Sequence, residues 1–353
     1  MEAVSFLRAI IAGAVVLGVL VLVHEWGHFI VAKLCGVRVD VFSIGFGKRL
    51  WGVKRGDTDY RVSALPLGGY VRMAGDNPVE ERTGAPYEFL SRPRWQRFLI
   101  AIAGPATNIL LTFLILWGIA LFIGTLPSMI GEVQPGLPAE KAGIRAGDLV
   151  VSMDGKPVST WDGLVDEIRS SGGQTIHFVI RRDGKDMPIS VTPEQLKNPE
   201  DGQTTWMVGF SRPPAKYQHH DLLTAAQDAG AETIYETKQI GSVLVGLFNG
   251  KVSMHDLAGP VGIVQLSGEA AKSGPMSLLE LTAAISLNLG LLNLLPIPIL
   301  DGGHVLMLAI EGLLRRDLSL TFKERFVQIG LVFLLSVFAF VMYSDILRLM
   351  QHH

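Results

Sequence analysis

The chain has 353 residues, 48% of them hydrophobic and only 18% charged, with 31 basic against 33 acidic side chains and a formal net charge of −2. A charged share below the ~25% of ordinary soluble domains argues against a wholly water-borne enzyme, and the lack of a basic excess argues against nucleic acid as the main partner. The single cysteine, Cys35, excludes an intrachain disulfide and any cysteine-rich zinc knuckle, so a metal site here must be built from His and carboxylates.

Four windows are apolar and near the about 20 residues a membrane-spanning helix needs: roughly Phe6 to Leu34, Phe98 to Gly124, Ser277 to Leu300 and Phe326 to Tyr343. The first starts like a secretory leader, with Arg8 before the apolar run Ala9 to Val23. No small-residue cleavage pattern follows, so a retained helix is expected. The expected order is a span in 1–35, a loop in 36–97, a span in 98–124, a β-rich domain in 125–210 and an interfacial helix with linker in 211–273. A span in 274–304, a loop in 305–325 and a span in 326–345 complete it, with Gln351-His352-His353 left outside this plan.

Basic residues crowd the first loop, among them Lys48, Arg49, Lys54, Arg55, Arg92, Arg94 and Arg97, and the third, with Arg315, Arg316, Lys323 and Arg325. Their density in 36–97 is about twofold that in 125–273, so the positive-inside rule places loops one and three in the cytoplasm and both chain ends with the long loop outside. Within the first loop, Tyr60 to Met73 alternates partly and is broken by Pro66 and Gly68-Gly69, which predicts short strands with a bend. In the long loop a β-rich domain runs from about Ile130 to Pro193. A helix over Trp161 to Arg169 precedes a hairpin in which Thr175–Ile180 and Met187–Val191 flank Asp183-Gly184. The stretch Asp221 to Phe248 carries Asp228, Glu232, Glu236 and Lys238 on an otherwise apolar helix and suits the membrane interface.

His24-Glu25-Trp26-Gly27-His28 is an HExxH run. On a helix its two His lie one turn apart and about 40° around the axis, so both imidazoles can share one ion. Zinc suits imidazole and lowers the pKa of a bound water toward ~7, and Glu25 is placed to take that water's proton. Satisfied core histidines are the bland alternative, but charged groups inside a spanning helix cost roughly 2.5 kcal/mol or more apiece without a partner. A candidate third ligand, Asp301, lies at the broken end of the third span, Asn293-Leu-Leu-Pro-Ile-Pro-Ile-Leu-Asp301-Gly-Gly-His304, with a helix-capping Asp at the membrane edge as the alternative. Broken backbone at membrane depth is tolerated only inside protein or beside a cavity, which points Asp301 inward. His304 is an alternative ligand or a supporting group, and Asn293 a donor to a substrate carbonyl or helix-helix glue.

With HEWGH at 24–28, Gly104-Pro105-Ala-Thr-Asn108, Gly259-Pro260-Val-Gly-Ile263 and Asn293-x-x-Pro296-x-x-x-Leu300-Asp301-Gly-Gly303, nearly the whole chain resembles the site-2 protease family of intramembrane zinc metalloproteases. The bacterial regulator-of-sigma-E type is the most similar. The resemblance implies His24, His28 and Asp301 as Zn2+ ligands, Glu25 as catalytic base and Asn293 as a substrate-orienting or oxyanion group. Ile130-Gly-Glu-Val133, Pro138 to Ile144 and Gly147 to Gly155 resemble a bacterial PDZ domain, present once here where enteric relatives carry two. The implied fold is a polytopic α-helical membrane protein with four transmembrane helices, a cytoplasmic membrane-associated β-rich loop and an inserted extracytoplasmic PDZ-like α+β domain. The implied activity is an intramembrane endopeptidase of the bacterial inner membrane, acting in the cytoplasmic half on single-pass substrates such as anti-sigma factors and remnant signal peptides. The Tyr60 to Met73 segment would hold substrate as a strand. A membrane metal transporter and a non-catalytic PDZ scaffold are the rival functions. The first should show ligands at several depths with internal repeats, and the second should lack Glu25 or a ligand.

Overall fold

The computed structural model describes residues 2–76, 83–124, 128–158, 161–197, 204–211, 221–250 and 259–351. Arg82 and parts of the expected linker and domain ends, such as 125–127, 212–220 and 251–258, lie outside the described residues. In chain order the helices are α1 (Glu2–Leu34), α2 (Arg94–Phe122), α3 (Pro138–Lys141), α4 (Trp161–Ser170), α5 (Leu222–Phe248), α6 (Pro260–Ser273), α7 (Pro275–Asn293), α8 (Asp301–Leu314) and α9 (Leu320–Gln351). The strands are β1 (Val39–Arg55), β2 (Thr58–Met73), β3 (Leu149–Met153), β4 (Lys156–Pro157), β5 (Ile176–Arg182), β6 (Lys185–Val191), β7 (Glu194–Lys197) and β8 (Thr204–Met207). Residues 1–115 with 237–353 form one compact unit and residues 116–236 another.

Among the described residues, four helical segments are long and apolar enough to cross a membrane: Leu7–Leu34, Arg94–Phe122, Pro275–Asn293 and Thr321–Leu347. They are apolar around most of their circumference, and α9 exposes Ile329, Val332, Phe333 and Leu335, as a helix solvated by lipid does. Small residues let them approach. Gly27 of α1 faces the Ala103 carbonyl and Thr107 hydroxyl of α2, and Gly290 of α7 faces the Pro105 carbonyl. Hydroxyls join α2 to α7 from both sides: Thr112 donates to the Ala283 carbonyl at 2.9 Å and Ser286 to the Asn108 carbonyl at 2.9 Å. Nearer the start of α1, Gly268 of α6 packs on Ala9 and Gly13 packs on Val264.

The third apolar segment departs from the expected single span. Helix α7 ends at Asn293, residues 294–300 are not helical, and α8 runs from Asp301 to Leu314, into a stretch expected to be loop. Pro296 and Pro298 cannot continue a helix, whereas Val305 to Ile310 is an apolar run in which Leu306, Met307, Leu308 and Ala309 are good helix formers that sustain the restart.

β1 and β2 are long strands that bend back on themselves. Phe42 pairs with both Tyr60 and Val71, while Lys54 pairs with Asp59, so the ribbon makes four runs with residues 69–73 on one outer edge. Glycine permits the bend where a side chain could not. Gly45 has φ +86°, and a Cβ there would sit 2.6 Å from the Leu65 carbonyl oxygen. Phe29 of α1 stacks edge-on against Phe42 at 5.2 Å, seating the sheet on the end of that helix.

Residues 116–236 have their own core. Strands β4-β3-β5-β6 form an antiparallel sheet, and Asp183 and Gly184, both at positive φ, make its tight hairpin turn. Alternate residues Ile176, Phe178 and Ile180 point inward to meet Leu164 and Ile168 of α4, with Ile130, Val150 and Met153 completing the interior. Asp148 accepts two hydrogen bonds of 2.7 Å from the Arg182 guanidinium, and Tyr235 of α5 donates to Asp166 of α4 at 2.6 Å.

Candidate metal centre

His24 and His28 stand one turn apart on α1, both buried, with their Nε2 atoms 3.2 Å apart. Asp301, the first residue of α8, brings Oδ2 to 3.1 Å from the first and 3.4 Å from the second. Three donors thus form a nearly equilateral triangle. A tetrahedral zinc with bonds near ~2.05 Å separates its ligand atoms by roughly 3.3 Å, and three protein ligands leave a fourth position for water or substrate. The residues therefore fit the ion in both spacing and chemistry. Among the described residues no second group of three His, Cys, Asp or Glu converges in this way.

Helix α2 orients both imidazoles. His28 Nδ1 lies 2.7 Å from the Ile100 carbonyl, which only a protonated Nδ1 can use, and that leaves the Nε2 lone pair for a metal. His24 Nδ1 lies 3.4 Å from the Asn108 side-chain amide, whose oxygen is otherwise buried without a partner. Turned about its terminal bond, that amide presents the oxygen to His24 Nδ1–H and satisfies both groups. Gly104 provides the space. A Cβ there would fall 2.7 Å from His24 Nε2 and nearer still to His28 Nε2, so any side chain would occupy the point where the donors meet.

Glu25 turns from the helix toward the sheet, and its Oε2 accepts the Val71 N–H at 3.0 Å. Gly69 lets this strand lie close to its neighbour, since a Cβ there would be 2.7 Å from the Ser43 carbonyl oxygen. Asn293 and His304 line a cavity of about 840 Å³ together with His24, Glu25, His28 and Asp301, and neither belongs to the donor triangle. The turn into Asp301 is tight. Ile299 adopts φ +80°, a strained conformation for a β-branched residue, while Gly302 and Gly303 pack against the carbonyls of Leu294 and Ile297. The residues that make room for the donors and orient them, Gly104 and Asn108, occur in the sequence as a Gly-Pro-x-x-Asn run. An Asn within an apolar span is the one signal that could have marked the second of them.

The model of Peptidase family M50 matches residues 12–337. The Regulator of sigma-W protease RasP of Bacillus subtilis (strain 168) is 30% identical over 426 residues, covering 98% of this chain and 99% of its own. The Metalloprotease MmpA of Caulobacter vibrioides is 32% identical, covering 98% and 97%, and the Zinc metalloprotease RasP of Geobacillus kaustophilus is 32% identical, covering 97% and 99%. Among solved structures, the PDZ domain of an SdrC-like protein of Listeria innocua matches 27% of this chain and 99% of its own at 23% identity and a TM-score of 0.22.

Proposed function

We propose, from the premise that the chain belongs to peptidase family M50, that it is a zinc metalloendopeptidase of the site-2 type, cutting the transmembrane segments of single-pass membrane proteins. The observation that carries this reading is the convergence of His24, His28 and Asp301, from opposite ends of the chain, beside the Glu25 carboxylate in one cavity among apolar helices. Anti-sigma factors and remnant signal peptides are the substrate classes, and the bacterial inner membrane is the location. Loops one and three face the cytoplasm and the PDZ-like segment faces outward, where it filters or gates substrates. The basic crowding of residues 36–97 supports that orientation, and the place of His24 and His28 near the C-terminal end of α1 supports cleavage in the cytoplasmic half.

His24, His28 and Asp301 would hold the zinc, which when bound acidifies water and polarises the scissile carbonyl. Glu25 accepts the proton of the attacking water and delivers it to the leaving amine. Asn293, at the end of α7, hydrogen-bonds the substrate carbonyl as negative charge grows on it. A membrane helix shields its own peptide groups, so it must first be drawn out as extended chain. The outer edge of β2 at residues 69–73 offers main-chain partners for that strand, while the cavity admits water.

Purified protein in detergent with a single-pass substrate, assayed with and without chelator and beside zinc flux in proteoliposomes, tests the reading against the transporter and scaffold alternatives. Chelator-sensitive cleavage without flux is expected. Glu25→Gln should keep its zinc and lose cleavage by at least about 10³-fold; turnover near wild type in that variant would remove Glu25 from the role of base.

A further inference from the structure

Along a strand the backbone groups alternate in direction, so an edge strand presents every second N–H outward. Around the outer run of β2, the Ala74 N–H turns inward to the Arg38 carbonyl at 2.8 Å. The outward donors Val71 N–H and Met73 N–H are both taken by carboxylates. Glu25 accepts the first at 3.0 Å and Asp76, three residues beyond the strand, accepts the second at 2.9 Å. Both carboxylates line the same cavity as the donor triangle. The edge on which an extended segment would be added is therefore capped at Val71 and Met73 by two acidic side chains, one of them the group assigned above to proton transfer.

Resting on the protease reading, we propose that Glu25 and Asp76 cap the strand-addition edge, and that an incoming extended segment must displace them through its own carbonyls. Docking then couples to chemistry. When a substrate carbonyl takes the Val71 N–H, the Glu25 carboxylate is released to the donor triangle beside it. Asp76 is a positioning residue that raises the threshold for docking, so a weakly held segment does not release the base. A segment that stays helical keeps its carbonyls in internal bonds and cannot compete for either donor, which selects chain that has already unwound.

Glu25→Gln and Glu25→Ala test this directly, because both lack the base and only the first keeps an acceptor for Val71. In the full-length zinc-loaded protein in detergent, Val71 amide hydrogen exchange should be about tenfold or more faster in the Ala variant than in the Gln variant. A synthetic leucine-rich single-span peptide with a central Asn-Pro break should bind the Ala variant about tenfold tighter. Asp76→Ala, made in the Glu25→Gln background, should do the same for Met73 exchange and for peptide affinity, which covers a Glu25→Ala variant that fails to fold. Equal exchange at Val71, or binding to the Ala variant no tighter than to the Gln variant, would overturn the proposal. Neither readout needs turnover, so absence of cleavage by the wild-type protein would count against the protease reading alone.

Discussion

Two residues on α2 set the donor triangle without belonging to it. Gly104 leaves the volume empty, and Asn108 holds the His24 ring so that Nε2 and not Nδ1 faces Asp301. A ligand whose ring is unpinned must pay rotational entropy each time it binds, and partners of this kind typically contribute 10–100-fold in metal affinity. Asn108→Ala should therefore weaken zinc binding by about 10–100-fold, measured by competition with a chromophoric chelator, while the helices stay folded. Asn108→Asp, which keeps an acceptor for His24 Nδ1–H, should recover most of that loss.

At the scale of elements, helix α6 links α1 to the C-terminal helix. Its small residues meet α1, while its N-terminus is capped across the fold by Asp345 of α9. Asp345 is buried, and its oxygens accept the Gly259, Val261 and Gly262 N–H groups, each at 3.1 Å. A carboxylate at a helix start satisfies orphan donors and meets the positive end of the helix dipole. Asp345→Ala should cost about 1–2 kcal/mol, read as a lower midpoint of thermal unfolding in detergent with zinc content unchanged at low temperature. The Gly259-Pro260-Val-Gly-Ile263 run is visible in the sequence, but its partner lies far along the chain on α9 and carries no motif that names it. The break after Asn293 is legible because Pro and Gly act locally. The restart as α8 competes with the charged Arg315 and Arg316 that make the following stretch look like loop.

For the molecule as a whole, residues 116–236 carry a core of their own and a charge pair that ties its stability to pH. Burial raises the Asp148 carboxyl pKa, but the Arg182 hydrogen bonds and the Arg145 N–H outweigh it and hold the group below the usual carboxylate range. A depressed folded-state pKa stabilises above the unfolded value of ~3.9, and that contribution is lost as pH falls through the folded value. Protection of residues 130–191 against hydrogen exchange in the full chain should thus decline below about pH 4. Asp148→Asn should lower it by about 2 kcal/mol at pH 7 and flatten the acid dependence. Unchanged protection at both pH values in that variant would show the pair to be energetically idle.

Local chemistry determined a large part of this protein. Apolar runs near 20 residues marked helices fit for lipid, i,i+4 spacing put His24 and His28 on one face, Asp-Gly made a hairpin, and two prolines ended a helix just before Asp301. Each of those signals lives within a few residues of chain, where period, backbone φ and hydrogen-bond inventory act. Folding alone decided that the Asp301 carboxylate meets both imidazoles, that a missing side chain at Gly104 opens the site, and that Val71 and Met73 hand their outward N–H groups to Glu25 and Asp76. Those contacts join main-chain groups, empty volumes and side chains distant along the polypeptide. A backbone N–H or a void has the same letter wherever it occurs, and only packing gives it a partner.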